Sequence, residues 1–154
     1  MRFVPFAIII MSSSMLAWAA DPFVGSWKLD MEKSSTAKGK ATEQRSTTFV
    51  ATPHGYEVTG QIGSGPEVRM TLLLDGKERE APQDMRLVKN TGATSEIAKR
   101  VSGNVLEVSY KRDGKTVAID RTEVSPDGKV LTMTTDGTYV DGSKLHNVWV
   151  YVRK

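Results

Sequence analysis

Apolar and polar residues alternate with period two along most of the chain beyond residue 20. Tyr56, Val58, Gly60 and Ile62 share one face of a segment whose other face carries Glu57, Thr59 and Gln61. This is how a strand reads when one face is covered and the other is in water. Val68, Met70, Leu72 and Leu74 repeat the pattern, as do the run from Val105 to Tyr110, Val117 with Ile119, and Leu131 with Met133. No stretch carries a sustained apolar stripe at i, i+3, i+4 and i+7, so helix is expected over less than about a tenth of the chain. Ten strands are expected: 26–30, 43–51, 56–62, 68–74, a weaker one at 86–89, 95–101, 105–111, 116–124, 129–135 and 144–152.

Turn dipeptides punctuate the alternation at Asp75-Gly76, Asp113-Gly114, Asp127-Gly128 and Asp141-Gly142. Glycine takes the positive φ that tight hairpins require, so consecutive strands are expected to pair as neighbours. The stretch from Met31 to Thr42, rich in Ser, Lys, Gly and Thr, reads as an exposed connection with room for a helical turn at Met31-Glu32-Lys33. So many strands in a chain of 154 residues must split into two sheets or close on themselves. Closure removes exposed edges, and the expected fold is all-β, an antiparallel up-and-down β-barrel of about 8–10 strands.

The chain opens differently. Arg2 precedes the apolar run from Phe3 to Met11, and then come Ser12 to Ser14 and the small-residue ending Ala17-Trp18-Ala19-Ala20. A basic start, an apolar middle and an A-x-A end describe a secretory signal peptide over residues 1–20, cleaved after Ala19 or Ala20. Pro5 and the three serines disfavour the rival, an uncleaved membrane anchor. The mature part, 21–154, is expected to be one domain, bacterial periplasmic or extracellular, with no stable membrane insertion after cleavage.

Formal charge is +3 from 21 basic and 18 acidic residues, and without Arg2 the balance is 20 against 18. The charges are interspersed, which argues against a nucleic-acid partner. The absence of cysteine excludes disulfides, thiolate metal sites, a cysteine nucleophile and a lipoprotein anchor. His54 and His146, the two histidines, stand in no ligand spacing, so no metal is expected. Gly63-Ser64-Gly65 is followed by Pro66 and a strand rather than a helix, which suits a loop and neither a nucleophile elbow nor a phosphate cradle. Asp120 and Glu123 fall on opposite faces of one strand, against a shared catalytic site. No cofactor motif appears, and an enzyme is not expected.

In the final strand Trp149 and Tyr151 point one way while Val148, Val150 and Val152 point the other. A strand apolar on both faces suits either a filled core or an aromatic-lined pocket. Arg69, Arg100 and Arg121 alternate with apolar neighbours and would face water, or else meet an anionic ligand or a buried Glu within a cavity.

Two segments carry a resemblance. Phe23-Val24-Gly25-Ser26-Trp27-Lys28-Leu29 holds the G-x-W and W-K-L pattern that opens lipocalins and fatty-acid-binding proteins. Asn147-Val148-Trp149-Val150-Tyr151-Val152-Arg153-Lys154 resembles the closing strand of the fatty-acid-binding group. With its G-S-W-K-L entry and repeated D-G-K hairpins, the chain is similar to small bacterial exported lipocalin-like proteins of the calycin superfamily. The resemblance implies a structural plug in which Gly25 and Trp27 close one end of the barrel beneath a basic side chain, here Arg153, a cation over an aromatic face. It also implies a small apolar or amphipathic ligand, for which Tyr56, Met70, Leu72, Met133, Trp149 and Tyr151 are the expected lining of a cavity of about 300 Å³ or more. Two departures stand out. The segment 33–42 is too polar and Gly-broken to supply the helix pair of fatty-acid-binding proteins. Trp149 stands where their carboxylate-binding arginine precedes the final tyrosine, so that clamp does not carry over. A ligand-free interaction or inhibitor module with a filled core is the alternative.

Overall fold

The computed structural model describes residues 20–154, so the expected signal peptide lies outside the described residues except for Ala20. The strands are β1 (Gly25–Leu29), β2 (Ser35–Thr36), β3 (Gly39–Lys40), β4 (Arg45–Thr52), β5 (Gly55–Ile62), β6 (Val68–Leu73), β7 (Asp75–Glu80), β8 (Ser95–Ser102), β9 (Val105–Arg112), β10 (Lys115–Val124), β11 (Val130–Thr138) and β12 (Lys144–Arg153). One helix, α1 (Arg86–Thr91), joins β7 to β8. Among the described residues strand makes up 61% and helix 4%, all-β as the alternation predicts.

Ten strands form the barrel wall in the order β6-β5-β4-β1-β12-β11-β10-β9-β8-β7. β1 closes the meander by pairing antiparallel with both β4 and β12, through Trp27↔Thr47 and Trp27↔Arg153. The wall is nearly complete, and its seam lies between β6 and β7, which follow each other in sequence without pairing. Gly114, Gly128 and Gly142 take φ of 73°, 70° and 84°, which is why Asp-Gly turns reverse the chain at these positions.

Three expectations need correction. Residues 86–89 lie in α1 rather than a strand, and the helix stops at Gly92, which takes the left-handed conformation at φ 64°. Asp75-Gly76 is not the end of a hairpin, since β7 begins there and pairs with β8 across a register shift between Asp75 and Glu78. The segment 31–42 is more than an exposed connection: after one turn, in which the Ser34 amide donates to the Met31 carbonyl at 3.4 Å, β2 and β3 form a small hairpin that docks on β12 through Val148↔Ser35. Ser34 fixes that hairpin, because its Oγ accepts from the Val150 amide at 3.0 Å and donates to the Asp30 carbonyl at 2.7 Å.

The two ends of the barrel differ. At one, Phe23, Phe49 and Tyr56 stack with ring centroids 5.6–6.3 Å apart, and Trp27 is wholly buried beside them. Arg153 Cζ lies 4.1 Å from the Trp27 ring, and its guanidinium donates to the carbonyls of Pro22, Val24 and Gly128 at 2.7–2.8 Å. A cation on an aromatic face thus ties the chain's entry to the β10–β11 turn. At the other end α1 lies over the barrel mouth: Val88 is buried, the Asn90 carbonyl accepts from Val140 at 2.9 Å, and the Thr91 carbonyl accepts from Arg112 Nη1 at 3.0 Å.

Candidate ligand site inside the barrel

Alternation decides which side chains enter the barrel. On β10 the inner face carries Ala118, Asp120, Thr122 and Val124, while Ile119, Arg121 and Glu123 face solvent. On β11 Leu131, Met133 and Thr135 point inward, and on β12 Leu145, Trp149 and Tyr151 do. β8 contributes Glu96 and Ala98, and β9 contributes Leu106, Val108 and Tyr110. The polar side chains among them include Glu96, Asp120, Thr122 and Thr135, and Arg45 of β4 packs on Trp149.

Of the six residues expected to line a cavity, Tyr56, Leu72, Trp149 and Tyr151 are buried, and Met70 and Met133 are partly covered. Tyr56 belongs to the aromatic end, where its hydroxyl donates to Asp21 Oδ2 at 2.5 Å and accepts from Arg100. Trp149 pairs with Met133 across β11–β12, and Leu131 pairs with Tyr151. Gly25 leads into β1 with φ 127°, and a Cβ there would press on the Arg153 guanidinium.

Arg45 is a group that alternation did not single out. Its Cζ stands 3.9 Å from the Trp149 ring centroid, and its Nε is buried without a hydrogen-bond partner. Burial holds the guanidinium below its ordinary pKa, and the same burial pushes the Tyr151 phenol up to about 12. The position two residues before the final tyrosine thus offers an indole, and a guanidinium from β4 packs on it.

Two carboxyl groups also enter the interior, Glu96, which the sequence did not single out, and Asp120, considered there only with Glu123. Glu96 is 3% exposed and its Oε2 has no partner. Asp120 accepts a hydrogen bond from the Thr135 hydroxyl. Burial raises the pKa of both, that of Asp120 to about 6, and it raises the Tyr110 phenol well above its ordinary value. Asp120 and Glu123 do sit on opposite faces, as the spacing requires, with Glu123 paired to Arg121 at the surface.

The remaining candidates lie outside this interior. Arg69 pairs with Glu67 in solvent, and Arg100 bridges to Asp21 at 2.9 Å near the aromatic end. His54 is exposed at the β4–β5 turn, and His146 Nδ1 stands 2.6 Å from Asp136 Oδ1 on the outer face. Among the described residues no group of three His, Cys, Asp or Glu could hold a metal. One surface cleft of about 440 Å³ is lined by Asp21, Thr52, His54, Leu74, Asp75 and Arg100, and one of about 230 Å³ by residues including Lys28, Arg45, Gln61 and Lys154. Neither is lined by any of the six residues expected to surround a ligand.

No protein-family model matches the chain, and no curated protein matches it. Solved structures do. The zebrafish ileal bile acid-binding protein complexed with cholic acid superposes with a TM-score of 0.58 at 17% identity, covering 86% of this chain and 99% of that one. As-p18, an extracellular fatty acid binding protein, gives 0.52 at 13% identity, covering 87% and 97%. The barrel shares its fold with these two structures. At these identities the likeness is one of fold, and the wall of this barrel differs from the expected lipid-binding pattern at Trp149 and at β2–β3.

Proposed function

We propose that the chain is an exported carrier or sensor that binds a small amphipathic molecule inside the barrel. One observation carries this reading. Asp120 and Met133 sit on the inner face of β10 and β11, in the middle of the wall and far from the seam, yet both keep accessible surface. Surface kept at that place supports a space inside the barrel, since the strands on either side are hydrogen-bonded throughout. The two similar solved structures are binding proteins, and their names fit an apolar ligand. The leader pattern over residues 1–20 supports export to a bacterial periplasm or outside the cell.

A second reading, a filled barrel acting through its outer surface, is favoured by the two clefts, neither of which is lined by any of the six residues expected to surround a ligand. Titration with a fluorescent alkyl-chain probe separates the two. Saturable emission that a non-fluorescent amphiphile displaces, weakened about ten-fold or more in Tyr151→Ala, is expected of the binder. A flat titration with both proteins leaves the filled barrel.

A further inference from the structure

The inner wall holds two carboxyl groups that form no ion pair among the described residues. Glu96 on β8 is opposite Tyr110 on β9, Tyr110 is opposite Ala118 on β10, and Asp120 follows Ala118 on the same face. The carboxyl groups therefore flank the Tyr110 ring on one continuous stretch of wall. Glu96 is 3% exposed with Oε2 unpartnered, and Asp120 is met by the Thr135 hydroxyl.

The guanidinium nearest Glu96 is already engaged. Arg79, the cation near Glu96, donates to both Asp75 oxygens at 2.8 and 3.0 Å and to the carbonyls of Leu73 and Lys77 at 3.3 and 3.2 Å. Arg45 packs on the Trp149 ring and forms no ion pair with either carboxyl group. A buried carboxyl without a partner destabilises the fold unless something brings it a proton or a positive charge. A wall that keeps two such groups around an interior space is arranged for a ligand that supplies the charge.

We propose that the ligand of this barrel is an amphiphile whose polar end is a protonated amine, seated against the Glu96 and Asp120 carboxyl groups. This deepens the reading of the barrel as an amphiphile carrier and rests on it. An ammonium has three N–H donors, which match the two carboxyl groups and the phenol oxygen of Tyr110 between them. A carboxylate-ended chain would meet like charge at the same wall, and an alcohol would leave one carboxyl group unpaired.

Calorimetric titration of the purified protein at pH 7.5 with dodecylamine, dodecanoate and dodecanol, each below its aggregation threshold, tests this. Dodecylamine is expected to bind at least about ten-fold more tightly than either of the others. In Glu96→Gln and in Asp120→Asn that preference should shrink by a similar factor while dodecanol binding persists. Both substitutions keep the side chain's shape and a hydrogen-bonding amide, so the variants should fold, and near-UV circular dichroism checks this. Dodecanoate or dodecanol binding as tightly as the amine, or an amine preference that survives both substitutions, overturns the proposal and leaves the carrier reading standing. If none of the three chains binds, the carrier reading itself falls, and this inference with it.

Discussion

Asp120 pays for its place on the inner wall through its proton. Burial raises its pKa from 3.8 to about 6, with the Thr135 hydroxyl pulling the other way. A carboxyl group whose folded pKa lies above its unfolded one holds more protons in the native state, so stability falls as pH rises from about 4 to about 6. Above that range the full penalty is present, on the order of 3 kcal/mol for a shift of this size. Asp120→Asn keeps an acceptor for Thr135 and removes the charge. The variant should match the wild type near pH 4 and exceed it by up to about 3 kcal/mol at pH 8, measured by urea unfolding across the range. A variant that is less stable at pH 8 would mean the native interior already compensates the carboxylate.

Individual elements show where reading by pattern succeeds and where physics hides them. β5, β9, β10 and β12 follow the apolar alternation, and three of the four Asp-Gly turns close hairpins. β7 escapes because Asp-Gly-Lys-Glu-Arg-Glu has no apolar residue: hydrogen bonds to β8 make it a strand, and its charges suit an edge facing the seam. α1 escapes because six residues are too few for a helical period, and Met85 gives its start no side-chain cap. Glu96 and Asp120 sit at positions that alternation aims inward, next to Ala98 and Ala118, but a charged side chain at such a place reads as solvent-facing until the register is known. The β4–β5 hairpin yields a prediction at this scale. Gly55 takes φ 153°, and a Cβ there would overlap the Leu72 carbonyl of β6. Gly55→Ala should cost about 2 kcal/mol or more, read as a lowered thermal midpoint, because neither the backbone of β5 nor that of β6 can move without losing ladder bonds. An unchanged midpoint would show that the β5–β6 approach is looser than this.

Across the whole molecule the barrel is a ring with one break. Every wall strand except β6 and β7 is hydrogen-bonded on both sides, and β6 meets the body of the sheet through β5 alone, as β7 does through β8. The strands on the far side are also the longer ones: β10 and β12 have ten residues each, and β6 and β7 have six. Opening at the seam therefore breaks one short ladder and exposes little of the core, since β7 buries no residue and β6 only Leu72. Opening at β10–β12 would break two ladders and uncover Leu131, Leu145, Trp149 and Tyr151. Local opening follows the cheaper path. In hydrogen exchange read by mass spectrometry, peptides covering residues 68–80 should exchange at least about ten-fold faster than those covering 115–124 and 144–153. Protection at 68–80 equal to that of β10 and β12 would mean that the two edges open only with the whole barrel. A bound amphiphile that contacts only the central wall should slow the slow peptides further and leave the seam unchanged.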